Sequence, residues 1–230
     1  MDGGAATVRR RRSAVAVLPR PPGGHRRVTG VADRRLARYL VQMKGELRFE
    51  QITTRGGDGG DATLFDGERL VKSDPVFEAL GDLDELTSWI GVVRSRYRDE
   101  WTGALRDLDT ELRDAQTVAS RISALVACAP SSKQYARLTP VDDAAVEELE
   151  LREARALKTT QIAPVFIIPG DEPGSAEIDF ARALCRRCER RLVNVIRSPG
   201  RPRPDLHAAQ RYLNRLSDYL FVIARKREQQ

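Results

Sequence analysis

Histidine and cysteine are nearly missing from these 230 residues, and their scarcity closes off several chemistries at once. The two histidines, His25 and His207, lie far from any partner cluster, so neither is given a role. The Glu-x-x-His pairs that a di-iron helical carrier requires do not occur. Three cysteines, Cys128, Cys185 and Cys188, are too few and odd in number for a disulfide framework. Cys185-x-x-Cys188 has redox or half-zinc spacing. It falls mid-helix, however, and no second pair completes four zinc ligands. Packed thiols are the better reading. No run approaches the roughly 18 apolar residues of a membrane span. No G-x-x-x-x-G-K-[ST] loop is present, and no strand–helix context supports a dinucleotide fingerprint. There is no internal repeat, and no alternating stretch is long enough for a sheet.

Lysine is scarce too, at five against 34 arginines, as a GC-rich coding sequence would give. The net charge of +6 is unevenly held: residues 1–42 carry ten arginines and two aspartates, the rest 29 basic and 31 acidic side chains. The near-neutral remainder argues against nucleic acid as a partner, since that binding rests on a basic footprint. Residues 1–46 are therefore expected to be a disordered basic extension, either a transit peptide or an over-extended start before Met43. Residues 47–230 are expected to form the folded domain. A cytoplasmic location is expected, or a mitochondrial one if the extension is a transit peptide.

Within that domain the apolar period is helical. Asp74-Pro75 reads as an N-cap followed by proline at the first helical position. Val76, Phe77, Leu80, Leu83, Leu86, Ile90 and Val93 then recur at three- and four-residue spacings. Further helices are predicted over Trp101–Ala129, Asp142–Leu157 (with Val146, Leu149 and Leu157 on one side), Ser175–Ile196 and Leu206–Arg227. The expected fold is all-α: a five-helix bundle of up-and-down character.

Two segments carry chemistry. Arg182, Arg186 and Arg190 stand at i, i+4 and i+8 and share a helix face, a row that repels itself unless something negative lies against it. Asn214 and Asp218 share a face of the last helix. Taken alone, either helix also reads as a solvated surface. Near the other end, Thr53–Gly67 places Gly56, Gly57, Gly59 and Gly60 within five residues. Such a backbone can point successive N–H groups at an anion, and Lys72 follows to add a point charge. Alone, that stretch also reads as a flexible loop.

Together these segments resemble the PduO-type ATP:cob(I)alamin adenosyltransferases, from about Thr53 to Arg225. Thr54, Arg55, Gly57, Asp58 and Gly60 keep the family's loop. Lys72-Ser73-Asp74-Pro75, Asp84-Glu85-Leu86, Phe166-Ile167-Ile168-Pro169, Arg186-Arg187-Cys188-Glu189-Arg190-Arg191 and Asn214–Phe221 follow in family order. The resemblance implies transfer of the 5′-deoxyadenosyl group of ATP to cob(I)alamin, with Mg2+ accompanying ATP. It implies a homotrimer with sites between subunits, a cob(II)alamin reductase and an adenosylcobalamin-dependent enzyme as partners, and neither nucleic acid nor membrane. No resident protein metal site is implied.

By matching position, Thr54, Arg55, Gly56, Gly57, Ala62, Thr63 and Lys72 would wrap ATP. Arg186, Arg187, Arg190 and Asn214 would complete the site from a neighbouring chain, with Arg186 and Arg190 as its catalytic groups. Arg182 would pair with Asp84 across the interface, and Phe166 would stand on the corrin side. Three positions depart from the pattern: Gly59 replaces a lysine, Gly56 a threonine and Asp179 a histidine, and the tract Ser120–Pro130 follows it only loosely. They imply a weaker ATP affinity or a retuned corrinoid or nucleotide preference. The competing expectation is a catalytically impaired relative that delivers adenosylcobalamin to a client enzyme.

Overall fold

The first long helix starts where the sequence puts a cap. In the computed structural model, which describes residues 48–230, Asp74 Oδ1 accepts from Val76 N–H at 2.9 Å. Pro75, with no N–H to satisfy, opens helix α1 (Pro75–Tyr97). A cap of this kind contributes about 1 kcal/mol. The basic segment 1–46 and the boundary expected at its end lie outside the described residues. Contacts gather Thr54–Gln230 into one compact unit. The described residues before that point form a single helical turn, Phe49–Ile52.

Four more long helices follow: α2 (Leu108–Val126), α3 (Asp143–Leu157), α4 (Pro173–Ile196) and α5 (His207–Arg227). Asp142 caps α3 by accepting from Ala145 N–H at 3.1 Å. Glu172 does the same for α4 through Ser175 N–H, which starts that helix two residues before the predicted Ser175. The helix predicted over Trp101–Ala129 is shorter at both ends. Gly103, at φ 52°, leads into a separate 3-10 turn, Gly103–Leu105, ahead of α2. Trp101 and Leu105 are buried outside the helix, so they keep the apolar spacing without the helical backbone.

Side-chain pairs give the helix directions. Glu78 meets Arg191 and Trp89 Nε1 donates to Glu177 O, so α1 and α4 run antiparallel. Glu189 meets Asn214 and Asp179 meets Arg225, so α4 and α5 do likewise. Thr87 meets Gln116 and Arg94 meets Asp109, which sets α2 against α1. Asp143 meets Arg211 and Glu150 meets Arg215, so α3 and α5 run parallel. Successive helices therefore alternate in direction, as an up-and-down bundle requires.

Leu83, Leu86, Ile90, Leu112, Ile122, Leu192, Leu213 and Leu216 are at most 1% exposed and form the centre of the core. Each contributes about 1.5–3 kcal/mol by leaving water. On α3, Val146 and Leu149 are buried as predicted, but Ala156 takes the inward place expected of Leu157, which is 44% exposed. The sequence predicts no sheet, yet β1 (Asp61–Thr63) and β2 (Arg69–Val71) pair antiparallel, with Ala62 opposite Leu70. Strands of three residues are too short for an alternating pattern to register in the sequence.

Candidate functional site

The glycine-rich segment is a loop closed onto that hairpin. Lys72 N–H donates to Gly60 O at 2.8 Å, and Gly60 takes φ 89°, which only glycine adopts without cost. Arg55 sits at φ 55°, in the left-handed region that costs a side-chain-bearing residue about 1–2 kcal/mol. Thr54 Oγ1 accepts from Gly56 N–H at 3.4 Å. A Cβ on Gly57 would lie 2.8 Å from Lys72 Nζ, so the lysine ammonium rests directly on the bare glycine backbone. Lys72 is exposed and has no ion pair among the described residues. Ala62 is half-buried in β1 and Thr63 is exposed beside it. The hairpin is tied to the bundle behind it: Asp66 Oδ2 accepts from Ala129 N–H at 2.7 Å, and Arg201 Nη2 donates to Glu68 at 2.6 Å.

The arginine row of α4 divides by partner. Arg187 bonds Glu85 and lies 3.2 Å from Asp82 Oδ1, and Arg191 lies 3.0 Å from Glu78, so both bind α4 to α1. Arg182 Nε donates to Asp179 Oδ1 at 3.0 Å. Arg190 Nη1 donates to the backbone oxygen of Arg186 at 3.1 Å. The Arg186 guanidinium is exposed and has no partner among the described residues. Asn214 is oriented from both ends, donating to Glu189 at 3.3 Å and accepting from Arg215 at 2.6 Å.

Arg182 and Arg186 line an open groove of ≈ 350 Å³ between α3, α4 and α5, together with Glu153, Leu157, Asp218 and Phe221. Burial, followed by the charge of Asp218, raises the Glu153 carboxyl above its ordinary pKa, while Arg215 opposes the shift. From the sequence, Glu153 has no role, and Leu157 and Phe221 are only apolar helix positions; the tertiary fold, which brings α3 against this side of α5, places them in the groove. Phe166, on the connection between α3 and α4, is fully exposed, flanked by exposed Val165 and Ile168. It is not core packing. Asp84 is exposed on α1 and has no partner among the described residues.

Thr54, Arg55, Gly56, Gly57, Ala62, Thr63 and Lys72 thus form one cluster, and Arg182, Arg186, Arg190 and Asn214 another. Among the described residues, no hydrogen bond or ion pair joins the two. Cys185 donates to Leu213 O and Cys188 to Asp82 O, each at 3.1 Å, so both are packed thiols, as the sequence predicts. Burial raises the Cys185 thiol well above its ordinary value, and burial with the nearby Asp82 charge takes Cys188 to about 12. Neither can serve as a thiolate nucleophile near neutral pH. Among the described residues no group of three or more His, Cys, Asp or Glu side chains converges on a metal-sized site, and no helix is long and apolar enough to cross a membrane.

The family model for cobalamin adenosyltransferase matches residues 52–227. Human corrinoid adenosyltransferase MMAB is 36% identical over 180 residues, covering 77% of this chain and 69% of the relative. A corrinoid adenosyltransferase of Citrobacter freundii is 35% identical over 179 residues, covering 77% and 95%. Among solved structures, a variant PduO-type ATP:corrinoid adenosyltransferase from Lactobacillus reuteri complexed with cobalamin and ATP matches with TM-score 0.67 and 26% identity, over 77% of this chain and 91% of that one. A second variant of that enzyme, complexed with ATP, matches with TM-score 0.64. From the helix order, the loop, the arginine row and these matches, the chain belongs to the cobalamin adenosyltransferase family.

Proposed function

We propose that this chain transfers the 5′-deoxyadenosyl group of ATP to the cobalt of a reduced corrinoid, giving adenosylcobalamin and triphosphate. One observation carries the reading. In a family member, Arg186 stands exposed beside an open groove with no partner among the described residues, while Arg182, Arg187 and Arg191 are all paired. An arginine left free in such a row suits an anion that arrives with the substrate. The Lactobacillus reuteri relative complexed with cobalamin and ATP supports both substrates.

In this reaction the cobalt lone pair forms a bond to C5′ of ATP. The C5′–O bond breaks, and its electron pair leaves on triphosphate. The protein supplies no nucleophile; its work is positioning and charge. Thr54, Arg55, Gly56, Gly57, Ala62, Thr63 and Lys72 wrap the nucleotide. The left-handed Arg55 and the Lys72 ammonium over Gly57 support that role, since strain of this kind persists where a site needs it. Arg186 and Arg190 take the charge that builds on the departing triphosphate. Arg187 reaches the nucleotide only by sharing its guanidinium with Asp82 and Glu85, and Asn214 presents an amide already oriented by Glu189 and Arg215. Phe166 serves the corrin, a role its full exposure leaves open. Mg2+ accompanying ATP would neutralise part of the phosphate charge.

The separation of the two clusters supports a shared site: one chain's loop faces another chain's arginine helix in a ring-closed homotrimer. Asp84, without a partner among the described residues, is available to Arg182 of a neighbour. The folded domain begins near residue 47 and its location is cytoplasmic, or mitochondrial if residues 1–46 act as a transit peptide. A cob(II)alamin reductase supplies the substrate and an adenosylcobalamin-dependent enzyme receives the product. The test is spectroscopic: purified chain, ATP and chemically reduced cobalamin should yield the absorption spectrum of the cobalt–carbon bond with turnover. Bound cofactor without turnover would identify a carrier instead.

A further inference from the structure

Behind the groove lies a buried cluster that the proposed chemistry leaves unexplained. Asp179 and Arg225 are each 3% exposed and Ser175 is 0% exposed. Arg225 Nη2 donates to Asp179 Oδ2 at 2.5 Å, to Ser175 Oγ at 3.0 Å and to Glu228 Oε1 at 2.7 Å. The other oxygen of the same carboxylate accepts from Arg182 Nε at 3.0 Å. Arg225 also lies over the Phe221 ring, 5.3 Å from its centroid, and Phe221 lines the groove. One buried guanidinium thus backs two groove residues, Phe221 directly and Arg182 through Asp179.

Stability alone is a weak reason for this arrangement, because an apolar pair of similar volume commonly stabilises a core as well or better. What a buried pair does give is fixed geometry. Asp179 cannot turn away without breaking its ion pair with the buried Arg225, which would keep Glu228 as its remaining carboxylate partner. At the outer end, Arg182 keeps Nη1 and Nη2 without a partner among the described residues. A surface arginine otherwise samples many rotamers. Anchoring Nε alone stops that motion and leaves the planar fork of two Nη groups available for bidentate contact with an oxyanion.

We propose that Asp179 is a positioning residue: clamped by Arg225, it holds Arg182 by Nε and presents the two Nη groups at the groove as a preset fork for an oxyanion. The proposal rests on the functional reading above. Its position is also one of the three where this chain departs from the family pattern, with an aspartate in place of a histidine. The fork can be filled by a nucleotide phosphate or by a carboxylate of a second copy of this chain.

The test is a double-mutant cycle in kcat and KM. Asp179→Asn keeps the side chain's size, but its single acceptor oxygen cannot serve both arginines. It should lower kcat/KM by about tenfold, as should Arg182→Gln, and the double variant should fall no more than about twofold below either single one. A rise in KM for ATP with assembly intact assigns the fork to phosphate; weakened assembly in sedimentation assigns it to a second copy. If Asp179→Asn does not fold, Asp179→Glu replaces it in the cycle, keeping the charge beside Arg225 while shifting the oxygens away from Arg182 Nε. Losses that multiply in the double variant, or an Asp179 variant with unchanged kinetics, would overturn the proposal while the functional reading stands. No turnover by the unmutated chain would overturn both.

Discussion

Gly57 and Gly59 stand two residues apart and differ in what they allow. At Gly57 an added Cβ meets the Lys72 ammonium at 2.8 Å, whereas at Gly59 no described residue lies within 4 Å of one. Gly57→Ala should therefore push Lys72 off the loop and raise KM for ATP several-fold, on the order of one charge-assisted hydrogen bond. Gly59→Lys should do the reverse. It restores the cation of the family's loop in open space, and KM for ATP should fall by about threefold or more. Both are read from initial rates against ATP concentration. An unchanged KM in both variants would remove the loop from the nucleotide site. The resemblance to the family's loop marks Gly59 as a position where a lysine is expected. Whether a lysine would fit is a matter of neighbours that only the fold supplies.

At the scale of elements, the helices are legible because burial follows helical spacing: Leu83, Leu86, Ile90 and Val93 are all buried on one face of α1. The start of α2 is not legible, since Trp101 and Leu105 keep that spacing while Gly103 breaks the backbone. The same division runs through the site. Helix geometry alone puts Arg182, Arg186 and Arg190 on one face, so the row can be read directly from the sequence. The ties of Arg187 to Asp82 and Glu85, and of Asp179 to Arg225, cross between helices and leave no local trace. The connection between α3 and α4 gives a separate test. Phe166 has no charge to offer phosphate, and it packs against nothing that its removal would unfold. Phe166→Ala should slow reaction from cob(II)alamin plus a reductase much more than reaction from pre-reduced cob(I)alamin, with ATP affinity and melting temperature unchanged. Equal losses in the two assays would take Phe166 away from the corrin.

For the whole molecule, burial sets a limit on alkaline stability. Burial and the Asp82 charge take Cys188 from 9.0 to about 12, and burial and the bond to Asp205 take Tyr135 from 10.0 to about 12. Burial also raises Cys185, Tyr212 and Tyr219. A thiol or phenol that ionises less readily in the folded chain favours folding while it is neutral. That contribution is complete below about pH 9 and is lost as pH climbs towards about 12. The urea midpoint should fall steadily between about pH 9 and pH 11; a flat midpoint over that range would contradict the burial of these groups. The shared site is tested most directly by mixing two inactive chains. Lys72→Ala disables the loop half and Arg186→Ala the arginine half. When the two are unfolded together in equal amounts and refolded, about a quarter of the sites in a ring should pair an intact loop with an intact helix. Recovery of roughly a quarter of the unmutated adenosyltransferase activity, from parents that each have almost none, is the expected result. Activity no greater than the sum of the parents would contradict a site divided between chains.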